Sequence, residues 1–327
     1  MIRFGVIGTN WITDKFIEGA HASQKLQLTA VFSRQLDRAE EFAAKHNVQN
    51  SFDSLEEMAA SDTVDAVYIA SPNSLHASQA KLFIEHGKHV IGEKPLASNI
   101  REVENLISLA QEKGVVLFEA LKTSYNPNFN VIREALPKLG KLRKVHFTYC
   151  QYSSRYLRFL NGENPNTFNP EFSNGSLMDI GIYPLSAAIA LFGEPNSFTA
   201  QGVMLHSGVD AHGTLVLHYN DFDAVITHSK VSNGYVPSEL QGEQGTLLVQ
   251  GISDCRAVEL YRTGEPPVTL SQNQGDNTMV YEAEEFARLI TLKQTMHLGL
   301  VRTQIVSAII TRAREIIGVR YPADEII

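Results

Sequence analysis

The strongest constraint on this chain is the alternation in its first part between strand-length apolar runs and capped helical segments. The runs are Ile2–Ile7, Leu28–Ser33, Ala66–Ala70, His89–Ile91 and Val115–Phe118. None alternates with polar residues, as expected of strands buried on both faces, and such strands need helical crossovers to cover them. Ser54-x-x-Glu57 and Asn99-x-x-Glu102 each put an acceptor at a helix N-cap and a carboxylate three residues later. Gly87 and Gly114 stand where a helix must end in a left-handed residue before the next strand. Residues 1–121 are therefore expected to form an α/β Rossmann-type domain with a doubly wound parallel sheet.

After Ala120 the texture changes. "SYNPNFNVIREALPKLG" reads as one helix, with Asn126 as cap, Pro127 in the first turn and Gly140 as stop. Strand-like stretches follow at Lys141–Ser153, Ser197–His206, Ala211–Tyr219, Ala224–Val231, Thr246–Gln250 and Val258–Arg262. Short turns such as Asn220-Asp221 join several of them, and two helices follow near Val280–Ile290 and Val301–Ile317. Residues 122–327 are expected to form an α+β domain with a large, mostly antiparallel sheet that is open on one face.

Composition narrows the function classes. A chain of 327 residues that is 43% hydrophobic and 20% charged has enough apolar residues for two cores. A net charge of −8 without clustered Lys and Arg argues against a nucleic-acid surface, and no like-charge run suggests a membrane-surface patch. No apolar run of ~18 residues suggests a membrane span. The first strand follows Met1 directly, leaving no room for a secretion signal, and Cys150 and Cys255 form no disulfide framework. The expected setting is the cytoplasm.

"FGVIGTNWIT" (Phe4–Thr13) lies at the first strand-to-helix turn, where a dinucleotide fingerprint would place glycines at 8, 10 and 13. Only Gly8 is glycine. Asn10 is expected to preserve the turn by accepting a positive φ, and a plain strand-to-helix turn is the competing reading. The second strand ends at Ser33-Arg34, where an acidic residue would hold a ribose 2′-hydroxyl. A hydroxyl followed by a guanidinium suits a 2′-phosphate, which favours NADP(H) over NAD(H); a solvated surface arginine is the alternative. Ser71-Pro72-Asn73 opens another helix at the carboxyl rim. Asn73 is read as either cap or cofactor contact, and His76 as a contact or a first-turn surface residue. With Thr9, Trp11, Ile12, Glu93 and Lys94, these residues make up the expected cofactor rim.

Lys94 follows the fifth strand inside Glu93-Lys94-Pro95, where Glu93 is positioned to hold the ammonium or shift its pKa. A second polar group stands in "NGSLMDIGIYPLSAAIALFG" (Asn174–Gly193), read as a helix with Asp179 and Tyr183 one turn apart. Gly181 between them is expected to leave room for a ligand, and Pro184 to kink the helix. Lys122 and Tyr125 are read as cleft or domain-interface residues. His206, His212, His218 and His228 lie on expected strands without metal-ligand spacing.

Together, Glu93-Lys94-Pro95 and the Gly175…Asp179-x-Gly181-x-Tyr183 segment resemble the Gfo/Idh/MocA oxidoreductases. The resemblance spans nearly the whole chain, including "SPNSLH" and "GVDAHGTLVLHY" (Gly208–Tyr219). Tyr183 within "MDIGIYPL" is similar to the dimeric dihydrodiol dehydrogenase and D-xylose dehydrogenase branch. The glycine fingerprint departs from the pattern at Asn10 and Thr13, which bears on cofactor affinity. The resemblance implies hydride exchange with a sugar, polyol or diol, Lys94 and Tyr183 as the proton-transfer pair with Asp179 in support, and a homodimer or homotetramer formed through the open sheet face. Competing expectations are an NAD-dependent glycosidase and a non-catalytic nucleotide sensor. The loop Tyr156–Phe172 and the sheet face are the expected sources of specificity.

Overall fold

The computed structural model describes residues 1–325. The chain divides into two compact units. The first contains Met1–Leu121 and also Gly275–Gln304. Its strands are β1 (Ile2–Ile7), β2 (Leu26–Phe32), β3 (Asn50–Phe52), β4 (Ala66–Ile69), β5 (His89–Glu93) and β6 (Leu117–Ala120). They form one parallel sheet in the order β3-β2-β1-β4-β5-β6, the doubly wound arrangement expected. Phe4, Val6, Val67, Ile69, Val90 and Ile91 are fully buried, which explains why these strands carry no polar alternation. β3 escaped the sequence reading because its three residues are too few to show a period.

The crossover helices are α1 (Trp11–Ala22), α2 (Leu36–Lys45), α3 (Leu55–Ala60), α4 (Asn73–Glu85) and α5 (Ile100–Lys113). Two start at the expected caps. Glu57 N donates to Ser54 Oγ at 3.1 Å and Glu102 N to Asn99 Oδ1 at 3.0 Å. Gly87 and Gly114 take φ of +71° and +68° at the helix ends, as their positions require.

The expected single division after Leu121 describes only part of the organisation. The chain returns to the first unit through Gly275–Gln304, which includes α9 (Met279–Thr291) and the start of α10 (Leu298–Ile317). α9 packs so closely on α1 that a Cβ on Gly19 would lie 2.9 Å from Val280 N. Phe286 meets Phe118 of β6 at 5.8 Å, and Leu300 is buried in the cluster containing Val90 and Leu117. The parallel sheet needs apolar cover on both faces, and part of that cover comes from distant sequence.

The second unit contains Lys122–Gln274 and the chain from Ile305 onward. Its strands are β7 (Leu142–Cys150), β8 (Ser197–Met204), β9 (Asp210–His218), β10 (Asp223–Ser229), β11 (Ser238–Gly242), β12 (Gly245–Gln250), β13 (Ala257–Tyr261) and β14 (Val268–Thr269). The sheet order is β14-β13-β12-β11-β7-β10-β9-β8, antiparallel except for β7 beside β10. β11 was missed because Ser-Glu-Leu-Gln-Gly carries no apolar run.

The remaining helices are α6 (Pro127–Ala135), α7 (Tyr156–Leu160) and α8 (Ile182–Phe192). α6 stops earlier than expected. A 3-10 turn, Leu136–Leu139, separates it from Gly140 at φ +67°. Pro137 has no N–H to continue the ladder, and its ring would crowd the Arg133 carbonyl. Pro170–Phe192 is long and apolar enough to cross a membrane by length and composition alone. Most of that stretch is buried inside the second unit, where a core helix of this composition belongs.

Candidate functional site

In the first unit, the sheet order reverses between β1 and β4, and the residues after their carboxyl ends line the rim. Gly8 ends β1 at φ +103°, and a Cβ there would lie 2.6 Å from the Ala70 carbonyl oxygen. Any side chain would be both strained and obstructed. Asn10 does not take the positive φ expected of it. At φ −107° it is the N-cap of α1, and its Oδ1 accepts from Ile12 N at 3.0 Å and Thr13 N at 3.4 Å. Its Nδ2 donates to Ala70 O at 3.0 Å, tying the first turn to the end of β4. Because Asn10 engages the Ile12 and Thr13 amides, an anion at this helix start would rely on the amides of Thr9, Asn10 and Trp11 and on the helix dipole. Trp11 is mostly exposed and Thr13 fully buried. Ser33 and the exposed Arg34 follow β2 on the same rim.

The loop after β4 corrects two expectations. Pro72, not Asn73, occupies the N-cap of α4, and Asn73 is the first helical residue. His76 is buried, not a surface residue. Its ring lies 2.8 Å from Ser71 O and 2.9 Å from Pro95 O, so it bridges the loops after β4 and β5. Burial holds its pKa below the usual histidine range. Ser71 Oγ donates to Gln79 Oε1 at 2.7 Å, fixing the same loop to α4.

Glu93 fixes the backbone of Lys94. One of its carboxylate oxygens receives Tyr68 Oη at 2.6 Å, and the other receives the Lys94 N–H at 3.3 Å. Tyr68 is buried and stacks on Phe16 with ring centroids 3.8 Å apart, so its phenol is immobilised. The Lys94-Pro95 peptide is cis. Below the turn, the buried Glu119 accepts from Leu96 N at 2.9 Å and from Thr303 Oγ1 at 2.8 Å. Burial raises its pKa. Glu119 was not identified from sequence, although a carboxylate within the apolar run "LFEAL" is the buried-charge anomaly that would have marked it.

In the second unit, the segment read as one helix is wound in two ways. Leu177–Gly181 forms a π-helical turn and α8 begins at Ile182. Pro184 lacks the N–H that would bond Ile180 in a continuous α-helix, and the wider turn relieves the clash at that point. The simple i,i+4 geometry expected for Asp179 and Tyr183 therefore does not apply. Their exposure nevertheless sets them apart. From Gly175 to Ile189 every residue is buried except Asp179 and Tyr183, which are half-buried. An otherwise apolar segment thus opens to its surroundings only through a carboxylate and a phenol.

Gly181 does not leave space for a ligand, as expected, but for a protein side chain. A Cβ on it would lie 2.9 Å from the ring of His228. His228 is buried, contacts Ser176 Oγ at 2.8 Å, and has its pKa pushed down to about 3 by burial. Asp210, also buried, accepts from Leu177 N at 2.7 Å and so caps the π-helical turn. Burial pushes its pKa up to about 6.

Asp179 forms an ion pair with Lys230, a residue the sequence reading did not single out. Lys230 directly follows β10 and has no motif around it. The Tyr183 ring lies 5.7 Å from that of Tyr149 on β7. Lys122 pairs with Asp254 at 2.6 Å within the second unit, and Tyr125 belongs to the adjoining 3-10 turn, Lys122–Tyr125. The Tyr156–Phe172 loop is anchored by aromatic packing. Tyr156 lies 5.5 Å from Phe168, and Phe159 stacks on His206 at 4.6 Å.

Comparison with known proteins agrees with this architecture. Residues 2–121 match the model of an oxidoreductase family with an NAD-binding Rossmann fold, and residues 133–248 match the GFO/IDH/MocA C-terminal domain. An uncharacterized oxidoreductase, YgjR, from Escherichia coli (strain K12) is 56% identical, over 100% of this chain and 99% of its own. The scyllo-inositol 2-dehydrogenase (NADP(+)) IolU of Bacillus subtilis (strain 168) is 50% identical, over 99% of this chain and 100% of its own. In structure, the chain is similar to the 3-ketoreductase KijD10 from Actinomadura kijaniata, crystallised with NADP and TDP-benzene. That match has a TM-score of 0.86 at 22% identity and covers 98% of each chain. With both family domains matched in order and relatives similar from end to end, the chain belongs to the Gfo/Idh/MocA family of NAD(P)-binding oxidoreductases.

Proposed function

We propose that the chain exchanges a hydride between NADP(H) and a secondary alcohol or carbonyl of a polyol, diol or sugar. The observation carrying this reading is the exposure pattern of Gly175–Ile189, where only a carboxylate and a phenol remain open. Oxidising an alcohol requires a group that takes the hydroxyl proton, and Tyr183 has the type and exposure for it. An unperturbed phenol titrates near pKa ~10, so proton removal near neutrality calls for a nearby cation. Lys94, its backbone fixed by Glu93 and the loop below it by Glu119, is assigned that role and a hydrogen bond to the reacting oxygen. Asp179 supports the pair by receiving a substrate hydroxyl.

When bound, the nicotinamide supplies or accepts the hydride. The bare backbone at Gly8, the capped start of α1 and the Ser33-Arg34 pair fit a dinucleotide, and Arg34 favours a 2′-phosphate. The name of the 50% identical IolU, an NADP(+)-linked scyllo-inositol dehydrogenase, supports both the cofactor and the polyol class. Two free cysteines suit a cytoplasmic setting, and the exposed, half-buried alternation along β8 suits a homodimer or homotetramer formed through the open sheet face.

The test is steady-state turnover of a panel of inositols and diols with NADP+. Tyr183→Phe should lower kcat by about 10²–10⁴-fold while the fold and cofactor binding are retained. Near-normal turnover by that variant would remove Tyr183 from the reaction. Aryl-glycoside cleavage without net cofactor reduction would replace the dehydrogenase reading with the glycosidase one.

A further inference from the structure

Lys230 lies in a setting that stability alone does not explain. Its side chain is only 9% exposed, and its ammonium pairs with Asp179, whose side chain is 29% exposed. Withdrawing a lysine from water costs solvation, and a buried ion pair often returns no more than an apolar pair of the same volume. The backbone around Lys230 is nevertheless pinned on both sides. Its N–H donates to Ala211 O at 3.0 Å and its carbonyl accepts from Ser153 N at 2.9 Å. The next turn is tightened by Ser229, whose Oγ lies 2.7 Å from Ser232 Oγ and accepts from Ser232 N at 3.1 Å. The stem is thus fixed before the ammonium reaches Asp179, and the carboxylate it reaches is one of the two openings in Gly175–Ile189.

We infer that Lys230 is a positioning residue of the substrate site, holding the Asp179 carboxylate oriented to receive the hydroxyl next to the carbon undergoing hydride transfer. A carboxylate only accepts hydrogen bonds, and the Lys230 ammonium on one of its oxygens fixes the direction in which it can accept another. With Tyr183 assigned to the reacting oxygen, Asp179 then reads a neighbouring O–H, so the site selects vicinal diols and polyols over isolated alcohols. The inference rests on the assignment of Tyr183 and Asp179 made above.

The experiment compares trans-1,2-cyclohexanediol with cyclohexanol, using NADP+ and the intact protein. A hydrogen bond to a charged group that is lost with its positioning residue should cost about 10–100-fold. Lys230→Met should therefore reduce the preference for the diol by that factor, mainly through a higher KM for the diol. Lys230→Arg, which keeps the charge, should restore much of it. If cyclohexanol is too slow to measure in the parent, the split between KM and kcat on the diol decides alone. An unchanged diol KM, or equal losses on both substrates, would overturn the role of Lys230. The two readings separate cleanly. Tyr183→Phe turning over both alcohols normally rejects the site itself, whereas loss in Tyr183→Phe with diol preference intact in Lys230→Met rejects only Lys230.

Discussion

At the residue scale, the first turn shows how a degraded motif can keep its geometry by other means. Gly8 is irreplaceable for a local reason: a positive φ combined with the Ala70 carbonyl where a Cβ would lie. Asn10 replaces the second glycine without copying it, acting as a cap in ordinary extended backbone. Its short side-chain carbonyl reaches two helix amides, the capping property for which asparagine is favoured at helix starts. Under the proposed function, Arg34 is the residue assigned to discriminate between cofactors. Arg34→Ala should lower the preference for NADP+ over NAD+, measured as the ratio of kcat/KM values, by about 10–100-fold, the loss expected when a charge-assisted contact to phosphate disappears. An unchanged ratio would make Arg34 a solvated surface residue.

At the element scale, the π-helical turn Leu177–Gly181 is held by two buried groups that titrate in opposite senses. Asp210 has a folded pKa of about 6, above its ordinary 3.8, so the folded state holds a proton there that the unfolded state has released. Its contribution to stability is present at low pH and is lost as pH rises through that interval. His228 has a folded pKa of about 3, below its ordinary 6.5, so its contribution is present above that value and is lost as pH falls toward 3. Between about pH 4 and 6 the two slopes oppose each other. Asp210→Asn keeps an acceptor for Leu177 N but removes one slope. Its stability, measured by denaturant unfolding, should then fall more steeply than the parent's on acidification through that interval, by up to ~1.4 kcal/mol per pH unit. Parallel curves for variant and parent would show that Asp210 does not gain a proton on folding.

At the scale of the whole molecule, the first unit is assembled from two distant parts of the chain. Phe118 meets Phe286 and His297, both at 5.8 Å, and Glu119 receives Thr303, so residues 1–121 alone leave a core face uncovered and a buried carboxylate short of a partner. Residues 1–121 expressed alone should bind a hydrophobic dye and unfold without a cooperative transition. Joining residues 275–304 to them through a flexible linker should restore cooperativity. A cooperatively folding 1–121 fragment would show that the later segment is an accessory layer.

The parallel sheet, the order of the elements, the helix caps at Ser54 and Asn99 and the stops at Gly87 and Gly114 were legible in the sequence. Each depends on residues within a few positions of one another, where backbone sterics and local hydrogen bonding decide the outcome. Lys94, Asp179 and Tyr183 stood out because a charged or phenolic group within an apolar run is anomalous without any partner being known. Their surroundings were not legible. Glu119 beneath the Lys94 turn, His228 against Gly181, Lys230 on Asp179 and the return of Gly275–Gln304 to the first unit are contacts between distant residues. Burial in the folded chain creates the need for each of these contacts, and only the tertiary structure decides which residue meets it.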